Sequence, residues 1–144
     1  MILGFNFTSI NAYSDEKNLS GSLDVNSVPS IDDVVEKKLE FLGDNKSIGI
    51  KFIFTTSYGK AGEIIQKGEI IYQVQDAKKI LKKWKDEKKL DDDITLNVLN
   101  FILSKCMAKS VDLADTLRLP PPLQFPHVVK NEQQPKVEIF EKKK

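Results

Sequence analysis

The chain has 144 residues, 40% apolar and 30% charged, with 22 basic and 21 acidic side chains that leave a formal charge of +1. Length and composition fit one globular domain with a core of its own, and the charge balance supplies no global pull toward nucleic acid or a membrane surface. A single arginine, Arg118, argues against a sequence-specific DNA reader, because such readers use arginine for bidentate base contacts.

The first half reads as strands. Gly4 to Tyr13 is rich in β-formers, notably Phe5, Phe7, Thr8, Ile10 and Tyr13. Asp15 to Asn18 has turn chemistry. Ser20 to Val28 alternates weakly through Leu23, Val25 and Val28 before Pro29. Across 31–42 two readings stay open. One is a short helix capped by Ser30, with Ile31, Val34, Val35, Leu39 and Leu42 near helical spacing. The other is a strand through Leu39–Leu42. Gly43 to Lys46 predicts a turn. The clearest signal follows: Ser47 to Tyr58 sets Ile48, Ile50, Phe52 and Phe54 against Gly49, Lys51, Ile53 and Thr55, a period of two. Tyr58 to Gly62 predicts a hairpin turn, and Glu63 to Val74 the return strand, with Gly68 marking a bulge or bend.

The second half reads as helix. Ala77, Ile80, Leu81 and Trp84 form a narrow apolar stripe among lysines 78, 79, 82, 83, 85, 88 and 89. Asp91–Asp93 suits a helix N-terminus, where carboxylates meet the positive end of the dipole. Ile94 to Leu117 predicts a long helix, apolar nearly all round in its first half. Such a helix needs cover on two sides. One is the sheet and the other a second subunit, so an oligomer is expected. Pro120–Pro122 ends the helix. Leu119 to Val129 is expected to run extended, and 130–144 forms a polar tail expected to be flexible. Residues 1–129 are expected to make a single domain.

Catalytic chemistry finds no support. The one histidine, His127, lies between prolines and valines, and Cys106 sits in an apolar helical pattern as a small hydrophobe. Two such residues are too few for a zinc site. No phosphate-binding glycine loop occurs, and Asp91–Asp93 reads as a cap rather than a metal site. No enzyme, metal or cofactor is expected. A lone cysteine excludes an internal disulfide and points to a reducing compartment. The N-terminal stretch shows no signal peptide, and no apolar run approaches about 18 residues, so neither export nor membrane insertion is expected. A cytoplasmic protein is the natural reading. The lysines of 77–89 suggest nucleic-acid binding as the rival function, but Asp76, Asp86 and Glu87 are interleaved with them, which fits a solvated face better.

The stretch Lys51 to Val74 resembles the central hairpin of the SecB export-chaperone family. In that family a β-branched strand ends in a Ser-x-Gly turn and returns through a Gln-Gln-Gly segment. Ser57-Tyr58-Gly59 and Gln66-Lys67-Gly68 occupy those places. Leu23-Asp24-Val25 is similar to the Leu-Asp-Leu opening of the family's second strand. Phe101 to Met107 followed by Pro120 to Pro126 fits its long helix and proline-rich return. The resemblance spans roughly residues 5 to 129.

The resemblance implies an α+β fold, a four-stranded antiparallel sheet with a long helix packed on one face. It implies a homotetramer built as a dimer of dimers with helices at the interface; Leu99, Phe101, Leu103 and Met107 are the candidate subunit contacts, with a core role as the alternative for Leu99, Phe101 and Met107. The implied activity is ATP-independent holding of unfolded or pre-secretory chains, and some relatives guard antitoxins. A holdase needs an apolar groove with a polar rim. Tyr13, Leu123, Phe125 and Val128 are the candidate groove residues, with completion of the monomer core as the competing role. Three departures stand out. Pro29 to Lys46 is longer than the family's connection. The closing helix has no counterpart in the polar tail. The acidic position that docks the SecA motor is Ile64 here, which speaks against a SecA-type partner.

Overall fold

The computed structural model describes residues 1–19, 23–123, 127–129 and 136–138. Four strands make one antiparallel sheet: β1 (Ile2–Ser14), β2 (Asn26–Glu36), β3 (Ser47–Ser57) and β4 (Gly62–Gln73). Their spatial order is β1-β4-β3-β2. Strands β2 to β4 form a meander and β1 returns beside β4, a Greek-key order. Two helices follow, α1 (Ala77–Glu87) and α2 (Asp92–Thr116). A separate ribbon pairs β5 (His127–Val129) with β6 (Lys136–Glu138). The expected α+β architecture, four antiparallel strands with a long helix on one face, is present.

The period-two pattern of the hairpin decides which face is covered. Ile48, Ile50, Phe52 and Phe54 of β3 and Ile64, Ile70 and Tyr72 of β4 are buried on one side. Their cross-strand register puts Ile50 opposite Ile70 and Ile48 opposite Tyr72. α2 covers this face through Ile94, Val98, Ile102, Cys106, Ser110 and Ala114, an unbroken row of four-residue spacing. Side chains four apart share one helix face. Burying each large apolar side chain of this layer contributes roughly 1.5–3 kcal/mol.

A fully buried polar tie crosses the layer. Gln66 is fully buried in β4 and its Nε2 donates to the Ser110 Oγ at 2.7 Å and the Cys106 carbonyl at 3.1 Å. The Ser110 hydroxyl in turn donates to the same carbonyl at 2.7 Å. Gln66 Oε1 has no partner. Gln66→Leu is therefore expected to change stability by less than about 1 kcal/mol, since it removes the orphan oxygen and leaves the serine bonded. Gln66→Ala opens a void and should cost about 2 kcal/mol or more. Urea unfolding of the two variants measures the contrast.

The sheet bends at one transverse row. Phe7, Gly68, Phe52 and Ile31 lie side by side across the four strands. On opposite sides of it the two edge strands each carry an extra residue, between Phe7 and Ser9 in β1 and between Ile31 and Asp33 in β2. Such bulges raise local twist and bend the strand. The Phe52 ring stacks on Phe5, with centroids 5.5 Å apart and planes 12° from parallel. It lies so close to Gly68 that a Cβ there would fall 2.6 Å from Phe52 Cζ and overlap the Asn6 carbonyl oxygen. The glycine expected to mark a bulge or bend carries no bulge in β4 itself, which pairs with β3 without a break; it faces the β1 bulge beside Phe7 and leaves room for the Phe52 ring.

Several boundaries differ from the sequence reading. Neither alternative for 31–42 describes the chain: β2 runs through Pro29 to Glu36, and only an isolated bridge joins Leu39 to Gly43. β2 is an edge strand, so Pro29, which lacks an N–H, costs no ladder bond on its outer side. Val34 packs inward opposite Ile50, and the bulge before Asp33 resets the alternation that imitated a helical spacing. The second strand begins at Asn26, not Ser20, and 20–22 lie outside the described residues. In the tail expected to be flexible, Lys136–Glu138 forms a strand paired with His127–Val129.

The ends of the helices are fixed by side chains. Asp76 caps α1, its carboxylate accepting from Lys79 N, and hydrogen bonds from Asn45 and Lys79 hold it below the usual carboxylate range. Trp84 Nε1 donates to Asp33 Oδ1 at 3.1 Å and ties α1 to β2. Asp91 precedes α2 without a side-chain cap bond, because its carboxylate accepts from Lys83 Nζ at 3.0 Å instead. Asp92 and Asp93 occupy the first turn, as expected. Beyond α2, the buried Tyr58 hydroxyl donates to the Pro120 carbonyl at 2.7 Å and fastens the proline run beside the β3–β4 turn.

Candidate functional site

Among the described residues no group of three or more His, Cys, Asp or Glu is placed to hold a metal. Cys106 is fully buried under the sheet, and burial pushes its thiol up to about 12. A thiol held that high carries almost no thiolate at neutral pH. The folded protein should therefore resist iodoacetamide, while the urea-unfolded chain is alkylated at once. Mass spectrometry of the intact chain reads the difference.

What the surface does offer is apolar area in two places. The first is the outside of α2. Beside the buried row, Leu99, Leu103, Met107 and Val111 form a second row of the same four-residue spacing, one position along. Leu99 and Met107 are half-buried against the core edge, Leu103 is 40% exposed, and Leu96, one turn earlier, is 62% exposed. The sheet covers the first row and leaves the second partly open. Near the end of α2, Ala108, Val111, Leu119 and Pro121 floor a groove of ≈ 390 Å³ rimmed by Asp112 and Asp115.

The second place is the sheet face away from α2. Val28, Thr55 and Ile65 are cross-strand neighbours there, and Ile53 lies next along β3. Tyr13, opposite Glu63, stands at 56% exposure, and Val28 at 49%. Lys51, Lys67, Glu63 and Glu69 surround these side chains, so the apolar patch has a charged rim.

The residues expected to line a groove fall as follows. Tyr13 is on the open sheet face. Leu123 is half-buried just after the proline run, on a segment fastened to the covered side through Tyr58 and Leu119. Val128 lies in β5 opposite Val137. Phe125 lies outside the described residues. Of the four expected subunit contacts, Leu99, Leu103 and Met107 share the outer row of α2. Phe101 points to the other flank and meets Phe5 edge to face at 5.3 Å.

No protein-family model matches the chain, and no curated protein matches it. A solved structure is similar in shape: the SecB-like chaperone Rv1957 of Mycobacterium tuberculosis, in complex with a ChAD peptide from the Rv1956 HigA1 antitoxin. The likeness covers 84% of this chain and 85% of that one, with a TM-score of 0.49 and 10% sequence identity. At that identity no residue of the one can be assigned to a residue of the other.

Leu96, Val28 and Phe41, the last 76% exposed, were not among the expected site residues. Leu96 was within reach of the sequence, since it stands three residues before Leu99 and seven before Leu103. Val28 needed the true register of β2, and Phe41 the turn that lifts it out. Ile64, which stands where the resemblance would put an acidic docking residue, is fully buried among Tyr58, Ala61, Ala114 and Leu119.

Proposed function

We propose that this protein is an ATP-independent holding chaperone that binds unfolded or pre-secretory polypeptides in the cytoplasm and keeps them from aggregating. The observation that carries the reading is the pair of exposed apolar surfaces on opposite sides of one domain: Leu96 and Leu103 on α2, Tyr13 and Val28 on the sheet. A holdase needs one surface to assemble and another to take clients. In this reading the outer row of α2 pairs subunits and builds the dimer of dimers. The open sheet face with Tyr13 receives the client, and Leu123, Phe125 and Val128 are further client contacts. The arrangement of four antiparallel strands under one long helix, implied by the hairpin's resemblance to the SecB family, supports it further. So does the charged rim, which keeps an apolar patch soluble.

Client binding of this kind rests on apolar contact and adaptable side chains, and needs no nucleotide. Release follows transfer to a partner or refolding. A SecA-type motor is not part of the proposal, because the resemblance puts Ile64, a buried apolar residue, where the family carries its acidic docking position. Among the described residues no helix is long and apolar enough to cross a membrane. The test is aggregation of a heat-denatured model protein followed by light scattering without ATP. Stoichiometric amounts of this protein should suppress it, and an unchanged scattering curve would defeat the reading.

A further inference from the structure

α1 turns Ala77, Ile80, Leu81 and Trp84 toward the core, which leaves its outer surface almost wholly charged. Lys78, Lys82 and Lys85 fall there at i, i+4 and i+7, one row roughly 10 Å long. None of the three makes an ion pair among the described residues. Their neighbours are engaged: Lys83 by Asp91 at 3.0 Å, and Lys88 over the Trp84 ring.

The row runs into a pocket of ≈ 290 Å³ lined in part by Lys37, Lys38, Asn45 and Lys78. Lys37 and Lys38 are paired with Glu69 and Asp44, and Glu36 also lines the pocket, so the net positive charge of this face is that of the α1 row. The start of α1 is already satisfied, since the Asn45 backbone and side-chain carbonyls accept from Ala77 N and Lys78 N. Both limbs of the 37–46 loop line the pocket, and Phe41 at its tip is 76% exposed.

We propose that this face docks an acidic polypeptide segment of a partner protein, its carboxylates on Lys78, Lys82 and Lys85 and an apolar side chain against Phe41. Charge complementarity selects the occupant. Asp86 and Glu87 adjoin the row, and Asp91–Asp93 follow α1. A nucleic acid carries charge on every phosphate and meets those carboxylates wherever it lies. A peptide can set its acids on one side and neutral residues on the other. A nucleic-acid surface stacks successive bases on several aromatics or arginines, whereas this face offers Phe41 alone, Trp84 being turned inward and buried. A lipid surface requires apolar side chains beside the basic ones on the outer face of a helix, and those of α1 are spent on the core. The inference is independent of the holding activity.

Fluorescence anisotropy of a labelled peptide of alternating Glu and Ser with one central Leu tests it. Its Gln-for-Glu analogue, an oligo-dT strand and phosphatidylserine vesicles are compared alongside. The acidic peptide should bind, its analogue should not, and K78Q/K82Q/K85Q should weaken binding about tenfold. Phe41→Ala should weaken binding several-fold, and only while the Leu is present. All four positions are exposed, so equal unfolding midpoints confirm intact variants. No peptide binding, binding unchanged in the triple variant, or tighter binding of oligo-dT or vesicles than of peptide would each overturn the proposal.

Discussion

Gly68→Ala will destabilise the fold by about 3 kcal/mol, the upper range for forcing an extra methyl into a packed core. The added Cβ lies 2.6 Å from Phe52 Cζ and 2.8 Å from Phe52 Cε1, and it overlaps the Asn6 carbonyl oxygen of the paired strand. Neither neighbour can yield cheaply. The Phe52 ring is stacked on Phe5 and edge-on to Phe7, and it is 1% exposed. Asn6 is held in the β1 ladder opposite Glu69. Moving the strand instead would undo the bulge beside Phe7. Urea unfolding at constant m-value measures the loss. A second variant separates ring from backbone: in the Gly68→Ala background, Phe52→Leu should cost less than it does alone. Additive costs would show that the ring is not what excludes a side chain at this position.

The second large effect concerns assembly. Replacing Leu96 and Leu103 together by glutamate should break the proposed oligomer into monomers. Both side chains are exposed, at 62% and 40%, so the charges meet water in the free subunit and its unfolding midpoint should hold. Buried between two helices, the same charges would be desolvated without partners. Loss of the apolar burial alone is worth about 1–2 kcal/mol per leucine, roughly tenfold in association for each. Light scattering coupled to gel filtration gives the mass of both proteins. An unchanged mass would remove the outer row of α2 from any subunit contact.

How much of this was legible in the sequence depends on whether a local pattern had a rival. The hairpin was legible because the period of two over Ser47 to Tyr58 has no helical alternative and Tyr58 to Gly62 supplies a turn, and its ends moved by only about a residue. The helices were legible from their stripes and from the Asp and Pro residues at their ends. β2 was misread for a physical reason. Its bulge inserts one residue between Ile31 and Asp33, and the shifted alternation copies the spacing of a helix. Pro29 added to the error, because a proline stops a central strand but not an edge.

The candidate site was legible in part. An apolar row on α2 beyond what one sheet can cover follows from sequence alone, and Leu99, Leu103 and Met107 were found that way. Phe101 was grouped with them because a helix apolar on three sides does not say which side meets the sheet. Its contact with Phe5 settles that it flanks the core. Tyr13, an aromatic at the end of β1, was an expected groove residue, and the structure leaves it exposed on the open sheet face. Its neighbours Val28, Thr55 and Ile65 were not expected, since they meet only through the β2–β3–β4 register. The Gln66 tie to α2 was equally out of reach, because nothing local marks a polar residue as buried.

The central claim is selectivity for the unfolded state, through apolar contact. The most direct measurement is anisotropy titration of one labelled polypeptide presented in two forms, natively folded and permanently unfolded by reduction and carboxymethylation. Only the unfolded form should bind, and raising the salt concentration should leave its affinity nearly unchanged. Equal affinity for both forms, or attachment that vanishes as salt rises, would contradict it.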